Sequence, residues 1–288
     1  MSAVHHDPPP SRINDAKPSQ SIVQNGKATA PFALLIIDPQ VDFHEGGSLA
    51  IAGADEDAQR IKSFIETNID QITNIYVTLD SHQLVHISHP LFWKGPQKET
   101  PPPYTVISKE DVLCGKWSAA DENLKHYVEN YIKQLETTGK FQHTIWPEHC
   151  VISTRGHCIV GPVLEGIHAW TAKTRKPIHY HWKGINALTE MYSVFQAEVP
   201  VPGSPETEMN DDLVKQLVAE PRVLICGQAL SHCVNFSVRD LMLAWPRERI
   251  GDVGLLLGMS SPVQGFEDDA ERFVAFMRES GAQVVEKE

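Results

Sequence analysis

A cysteine placed where a buried strand turns into a helix is the strongest candidate nucleophile in this chain. The apolar run Val223-Leu224-Ile225-Cys226 leads into Gly227-Gln228-Ala229-Leu230-Ser231-His232-Cys233-Val234. A thiol at a helix N-terminus faces the positive end of the dipole and free N–H groups, which favours a thiolate. Two other segments carry what such a thiol needs. Ala33-Leu34-Leu35-Ile36-Ile37-Asp38 closes on a carboxylate, and His179-Tyr180-His181-Trp182-Lys183-Gly184 closes on a lysine and a glycine. If they meet, the thiol attacks an acyl carbon, Asp38 takes its proton, and the Lys183 ammonium lowers the thiol pKa and holds the carboxylate. Backbone N–H groups at Ala229 and Cys233 would then hold the oxyanion. Taken singly, Asp38 reads as a loop-start residue, Lys183 as a solvated strand-end charge and Cys233 as a small buried hydrophobe. Packing alone does not explain all three at one rim.

A second constellation has metal-ligand character. Asp80-Ser81-His82 follows an apolar run, His86 comes four residues on, and Trp146-Pro147-Glu148-His149-Cys150 supplies a distant imidazole. Asp-x-His after a strand projects two side chains to one side, and a third ligand from another loop completes a facial set for zinc, iron or manganese. The structural alternative is ordinary loop histidines in a chain that holds 14.

These residues need elements to position them. Apolar runs of four to six residues alternate with helix-length amphipathic stretches, the pattern of an α/β doubly wound, mostly parallel sheet with helices on both faces. Strands are expected at 33–37, 73–79, 178–182, 222–226 and 252–257, and helices at 55–72, 121–135, 208–219, 232–244 and 266–280. In such sheets the carboxyl ends of the strands border the ligand crevice, and Asp38, Asp80, Lys183 and the 227–233 turn all follow directly on expected strands. The segment 88–120 is rich in proline and breaks the rhythm, which reads as an excursion over one end of the sheet, a lid or binding loop.

Bulk numbers bound the rest. The 288 residues, 41% hydrophobic and 22% charged, suffice for one domain over 31–288. Residues 1–30, rich in Pro, Ser, Asn and Lys, read as a disordered or loosely packed arm. A net charge of −12 argues against nucleic acid or an anionic membrane as partner. Five scattered cysteines without a CxxC pair suggest a reducing cytoplasm, and no run is long enough for a membrane span.

The residues carry a specific resemblance. Asp38-Pro39-Gln40-Val41-Asp42-Phe43 resembles DxQxDF, and Asp80-x-His82-x-x-x-His86 resembles DxHxxxH. Trp146-Pro147-x-His149-Cys150-Val151, Lys183-Gly184 with Glu190-x-Tyr192-Ser193-x-Phe195, and Gly227-x-Ala229-x-x-x-Cys233-Val234 follow in order. Together they resemble the isochorismatase-like cysteine hydrolases, and within them the nicotinamidases, over roughly residues 32–285. The resemblance implies a catalytic triad of Asp38, Lys183 and Cys233, and a cis peptide bond joining Gln228 to Ala229 at the oxyanion turn. It implies a divalent metal, zinc first, on Asp80, His82 and His149 with His86 as a further ligand or neighbour. Phe43, Trp146 and Tyr192 would line a pocket for a flat ring. The implied activity is hydrolysis of a small heteroaromatic amide to acid and ammonia through a thioester, in a homo-oligomer. Two departures bear on substrate: Ser88 is followed by His89-Pro90, and the stretch from His82 to His149 is long. The alternatives are another small amide, ureide or carbamoyl substrate on the same triad, or a non-catalytic binding protein.

Overall fold

The computed structural model describes residues 22–138 and 142–286. Its frame is a six-stranded sheet of β1 (Phe32–Ile37), β2 (Ile72–Asp80), β3 (His179–Lys183), β4 (Val223–Gly227), β5 (Val253–Leu256) and β6 (Gln283–Val285), in the order β6-β5-β4-β1-β2-β3. Every pairing is parallel. β1 sits centrally and its Phe-Ala-Leu-Leu-Ile-Ile run is buried throughout, as a strand covered on both faces requires.

The two faces are covered by different helices. α1 (Ala54–Thr67) and α2 (Gly161–Thr174) pack Ile61, Phe64, Ile65, Val163, Ile167 and Trp170 against Leu34, Ile36, Ile75 and Val77. α3 (Asp211–Ala219), α4 (Cys233–Ala244) and α5 (Glu267–Glu279) cover the opposite face over Leu35, Ile37, Tyr76 and Ile225. Each fully buried aliphatic side chain contributes about 1.5–3 kcal/mol relative to exposure. Among the described residues no helix is long and apolar enough to cross a membrane.

Four of the expected helices and all five expected strands lie within a few residues of the observed elements; the first helix stops at Thr67, five residues short. The helix expected at 121–135 runs Lys125–Thr138 after a 3-10 turn. The Gly161–Thr174 helix and the Gln283–Val285 edge strand were not expected. The 88–120 excursion is not a bare loop. It builds short antiparallel pairs, Trp93–Lys94 with Ser118–Ala119 and Val106–Ile107 with His143–Thr144. With the 125–138 helix it closes its own apolar cluster of Ile87, Phe92, Trp93, Ile107, Trp117, Val128, Tyr131, Ile132 and Ile145.

Of the arm expected over 1–30, residues 1–21 lie outside the described residues. Residues 22–30 hold a tight hairpin, Val23–Gln24 against Lys27–Ala28. It is fastened by Asn68, whose Oδ1 accepts from Ala28 N and whose Nδ2 donates to the Gly26 carbonyl, with Ile22 buried in the α1/α2 cluster.

Candidate active site

Four neighbouring strands end at one rim. Along the order β4-β1-β2-β3, Gly227 is level with Ile37, the residue before Asp38, and Asp80 is level with Lys183. The chain order reverses between β4 and β1, the point where ligands bind in open α/β sheets. Gly227 is at φ +114°, and a Cβ there would collide with the Ile37 carbonyl, so only glycine lets β4 and β1 close up at this end.

Lys183 is the hub. Its Nζ lies 3.1 Å from Asp38 Oδ2, 2.9 Å from Asp80 Oδ1 and 3.4 Å from Cys233 Sγ, and donates to the Met191 carbonyl at 3.0 Å. It is 2% exposed, and Asp38 is fully buried. The Asp38 backbone N–H and the Thr78 hydroxyl meet at 3.0 Å, and that hydroxyl donates onward to Asp38 Oδ1 at 2.5 Å. Oδ2 accepts no well-directed hydrogen bond and is the oxygen left to take a proton.

The electrostatics follow from burial and from these partners. Burial raises Asp38, with the Lys183 charge acting against it, so Asp38 is a stronger base than a solvated carboxylate. Burial also works on Lys183, but Asp38 and Asp80 outweigh it and keep the ammonium charged. Burial pushes the Cys233 thiol well up, beyond what Lys183 recovers. The thiolate expected at the helix mouth is therefore not the resting form: at 6% exposure, lost hydration outweighs the neighbouring ammonium. Deprotonation needs the carboxylate beside it.

The turn from Gly227 to Cys233 is laid out around a cis peptide between Gln228 and Ala229. Gln228 N–H donates to Ile37, Leu230 N–H to Ser261, and the N–H groups of His232 and Val234 to Ala229. Those of Ala229 and Cys233 meet no acceptor among the described residues. They are the donors available to a developing oxyanion.

Beside Asp38, Lys183 and Cys233, three imidazoles converge. His82, His89 and His149 each bring a ring nitrogen within 4.8 Å of the others'. Their Nδ1 atoms sit against the carbonyls of Gly184 (3.2 Å), Leu84 (3.3 Å) and Pro147 (2.8 Å). A carbonyl only accepts, so each Nδ1 carries the hydrogen and each Nε2 presents its lone pair, the arrangement seen in metal-ligating histidines. Asp80 Oδ2 lies 3.0 Å from His82 Nε2 and 3.3 Å from His149 Nε2, and His89 Nε2 is buried without a partner. Although burial opposes it, the His82 ring when protonated and the Lys183 charge hold the Asp80 carboxyl well below the usual range. Gly184, at φ +73°, leaves space that a Cβ would take 2.8 Å from the His82 ring. One carboxylate and three imidazoles suit a first-row divalent cation.

His86 lies beside this set, its ring 4.3 Å from that of His82. Its Nδ1 accepts from Ser88 N–H, which puts the hydrogen of the neutral ring on Nε2, a nitrogen buried without a partner, and His86 lies outside the group of three converging imidazoles. The sequence did not single His89 out beyond its place after Ser88 and among the chain's histidines; the fold brings its ring into this cluster.

Phe43, Trp146 and Tyr192 belong to one buried cluster, joined by aromatic residues the motifs did not assign. Trp146 Nε1 donates to the Tyr192 hydroxyl at 3.0 Å, and Phe43 packs on His149. The His232 ring stands edge-on to Trp146 and Tyr192, and Phe266 and Tyr104 complete the cluster. The signal for His232 was its place next to Cys233. The polar residues of the first block also act: Gln40 clamps the Asp80 backbone, donating to its carbonyl and accepting from its N–H, both at 2.7 Å. Asp42 Oδ2 accepts from Cys150 N–H at 2.7 Å, tying down the loop that carries His149.

No family model matches the chain. The nicotinamidase of Escherichia coli (strain K12) is 24% identical over 218 residues, 74% of this chain and 76% of that protein. Among solved structures, the yeast nicotinamidase is similar with a TM-score of 0.60 at 23% identity, covering 88% of this chain and 99% of that one. The pyrazinamidase of Pyrococcus horikoshii, solved in complex with zinc, gives a TM-score of 0.53 at 21% identity over 88% of this chain and 98% of that one. The six-stranded sheet and its two helical layers thus have the isochorismatase-like fold of the nicotinamidases.

Proposed function

We propose that this protein is a cysteine amidohydrolase that converts a small heteroaromatic amide, nicotinamide first, to the acid and ammonia. The observation that carries this reading is the Lys183 ammonium within 3.1 Å of Asp38 and 3.4 Å of Cys233, at the edge of an imidazole cluster. The similarity to nicotinamidases supports the choice of amide.

Asp38 Oδ2 takes the proton from Cys233 as the sulfur attacks the amide carbon, and the N–H groups of Ala229 and Cys233 receive the charge that forms on oxygen. Asp38 then gives the proton to the leaving nitrogen, the C–N bond breaks, and ammonia departs from a Cys233 thioester. A water molecule, deprotonated by Asp38, attacks the same carbon, and the acid leaves as the proton returns to sulfur. Lys183 stays charged throughout and keeps Asp38 turned toward the thiol. The near-complete burial of Cys233 keeps these charges in a poorly screening setting, where fixed donors count most.

Asp80, His82, His89 and His149 would hold a divalent metal, zinc by preference. When bound, it supplies a Lewis-acidic anchor for a ring nitrogen or a water. Phe43, Trp146, Tyr192 and His232 offer faces and edges suited to a flat aromatic ring. Among the described residues all five cysteines are free thiols, in keeping with a reducing, cytoplasmic setting.

The test is ammonia release from nicotinamide by the purified, metal-loaded chain and by Cys233→Ala. The wild type should turn over and the variant should not. Turnover by Cys233→Ala would remove the nucleophile, while a wild type inert on nicotinamide but active on a ureide or carbamoyl compound would change the substrate and keep the triad.

A further inference from the structure

One buried carboxylate on the far side of the oxyanion turn has no part in the chemistry above. Asp57, in the first turn of α1, is 1% exposed, whereas its neighbours Asp55 and Glu56 face solvent. Its Oδ2 accepts from Gln228 Nε2 at 2.9 Å and from the Ser261 hydroxyl at 2.6 Å, while Oδ1 pairs with Arg60 at 2.5 Å. Arg60 in turn donates to the Gly258 carbonyl. Three segments remote in sequence, at 57–60, 228 and 258–261, therefore meet on one carboxylate.

What it holds is the residue that begins the turn. Gln228 Oε1 accepts from Ser261 N–H at 3.2 Å, Leu230 N–H donates to the Ser261 carbonyl at 2.9 Å, and Ser231 Oγ accepts from Val263 N–H at 3.1 Å. The turn is thus stitched to 261–263 at Gln228, Leu230 and Ser231, and Asp57 closes the first stitch from both sides by binding Gln228 and Ser261 together. The next residue, Ala229, presents one of the two N–H groups without an acceptor. A mere helix-start acid would point to solvent and to its own first-turn N–H groups. This one points inward, at a glutamine amide that needs an acceptor once buried.

We propose that Asp57 is a positioning residue that acts through Gln228 and Ser261 to hold the Ala229–Cys233 turn where its N–H groups meet the oxyanion. This rests on the amidohydrolase reading. A donor set displaced by a fraction of an ångström stabilises the transition state less while leaving the ground-state amide bound. The signature is therefore in kcat and not in KM.

The experiment compares the full chain with Asp57→Asn, Gln228→Leu and the double variant. It measures ammonia release and amide hydrogen exchange over peptides spanning 227–234 and 72–80. Each single variant should lower kcat about tenfold or more with KM within about twofold, and the double should fall no further than the worse single, since both break one linkage. Exchange should quicken at 227–234 and stay unchanged at 72–80. If Asp57→Asn does not fold, Gln228→Leu decides alone, because it removes the donor and leaves the carboxylate to Ser261 and Arg60. The proposal is overturned by kcat within twofold of wild type, by losses that multiply in the double variant, or by unchanged exchange at 227–234. A wild type that releases no ammonia from any amide refutes the function reading instead, and faster exchange at 227–234 in the variants would still support the role of Asp57 in fixing the turn.

Discussion

Replacing Lys183 with methionine removes the one cation among the described residues that faces both Asp38 and Asp80, and stability and activity should fall together. Each carboxylate lies about 3 Å from Nζ. At an effective dielectric of about 20 each contact is worth roughly 5 kcal/mol of attraction. Desolvating the ammonium offsets several kcal/mol of that, so a buried pair that loses one partner costs about 3–5 kcal/mol net. Lys183→Met fills the same volume, which leaves the charge as the variable. With a urea slope of about 3 kcal/mol per M, the midpoint should drop by about 1 to 2 M. Asp38 can relieve its lost partner by taking a proton, and this limits the destabilisation. The same proton disables Asp38 as the base, so ammonia release should fall at least about a hundredfold even where the variant is fully folded. Urea titration followed by tryptophan fluorescence gives the first number and a coupled ammonia assay the second. A variant with the wild-type midpoint, or one folded and within tenfold of wild-type turnover, would refute the placement of Lys183 as the shared counter-ion.

The imidazole cluster predicts an asymmetry between two histidines three residues apart. His89→Ala should lose bound metal to a chelator more readily than wild type, while His86→Ala should retain it, as read by elemental analysis after dialysis; the reverse order would exchange their roles. His143 predicts an acid-labile fold. Its Nε2 pairs with the Ile87 carbonyl between Trp93 and Tyr131, and burial lowers it to about 4. The unfolded chain, with histidine near 6.5, therefore binds the extra proton first. Stability is full above about pH 6.5 and declines as pH falls toward 4, by about 3 kcal/mol from this residue. His143→Gln, which can still donate to Ile87, should flatten urea midpoints between pH 6.5 and 4.5, and an unchanged slope would count against it.

Much of the rim was legible because strand ends inherit their positions from the sheet. Once Phe32–Ile37, Ile72–Asp80, His179–Lys183 and Val223–Gly227 are strands of one parallel sheet, Asp38, Asp80, Lys183 and the turn after Gly227 have to share an edge. The helix over Gly161–Thr174 was less visible. It begins Gly161-Pro162, which reads as a loop, although proline suits a first helical turn and Val163, Ile167 and Trp170 repeat at helical spacing. The second core under the proline-rich stretch was hidden for a different reason. Apart from Val128, Tyr131, Ile132 and Leu135, which repeat at helical spacing, its apolar residues come from short pieces far apart in sequence, from Ile87 to Val199, and no local period links those pieces to the helix.

What spacing could not reveal was which polar side chain faces inward, and the cause is the same in each case. His86 and His89 are the same residue type three positions apart, yet one ring accepts from a backbone N–H and the other is set against a carbonyl. That difference decides which ring offers Nε2 as a ligand, and it is a property of the local backbone path. Asp55, Glu56 and Asp57 likewise form one acidic run at a helix start, and only the helix rotation against 258–261 selects Asp57 for burial. The Cys233 thiol shows how far position alone can mislead. A neighbouring ammonium favours the thiolate, but the packing that brings Lys183 to 3.4 Å also strips the sulfur of water, and the second effect is larger. The burial that raises the thiol raises Asp38 as well. A harder proton to remove is thus matched by a stronger base to remove it, and the reactivity belongs to the pair held by Lys183 rather than to the cysteine alone.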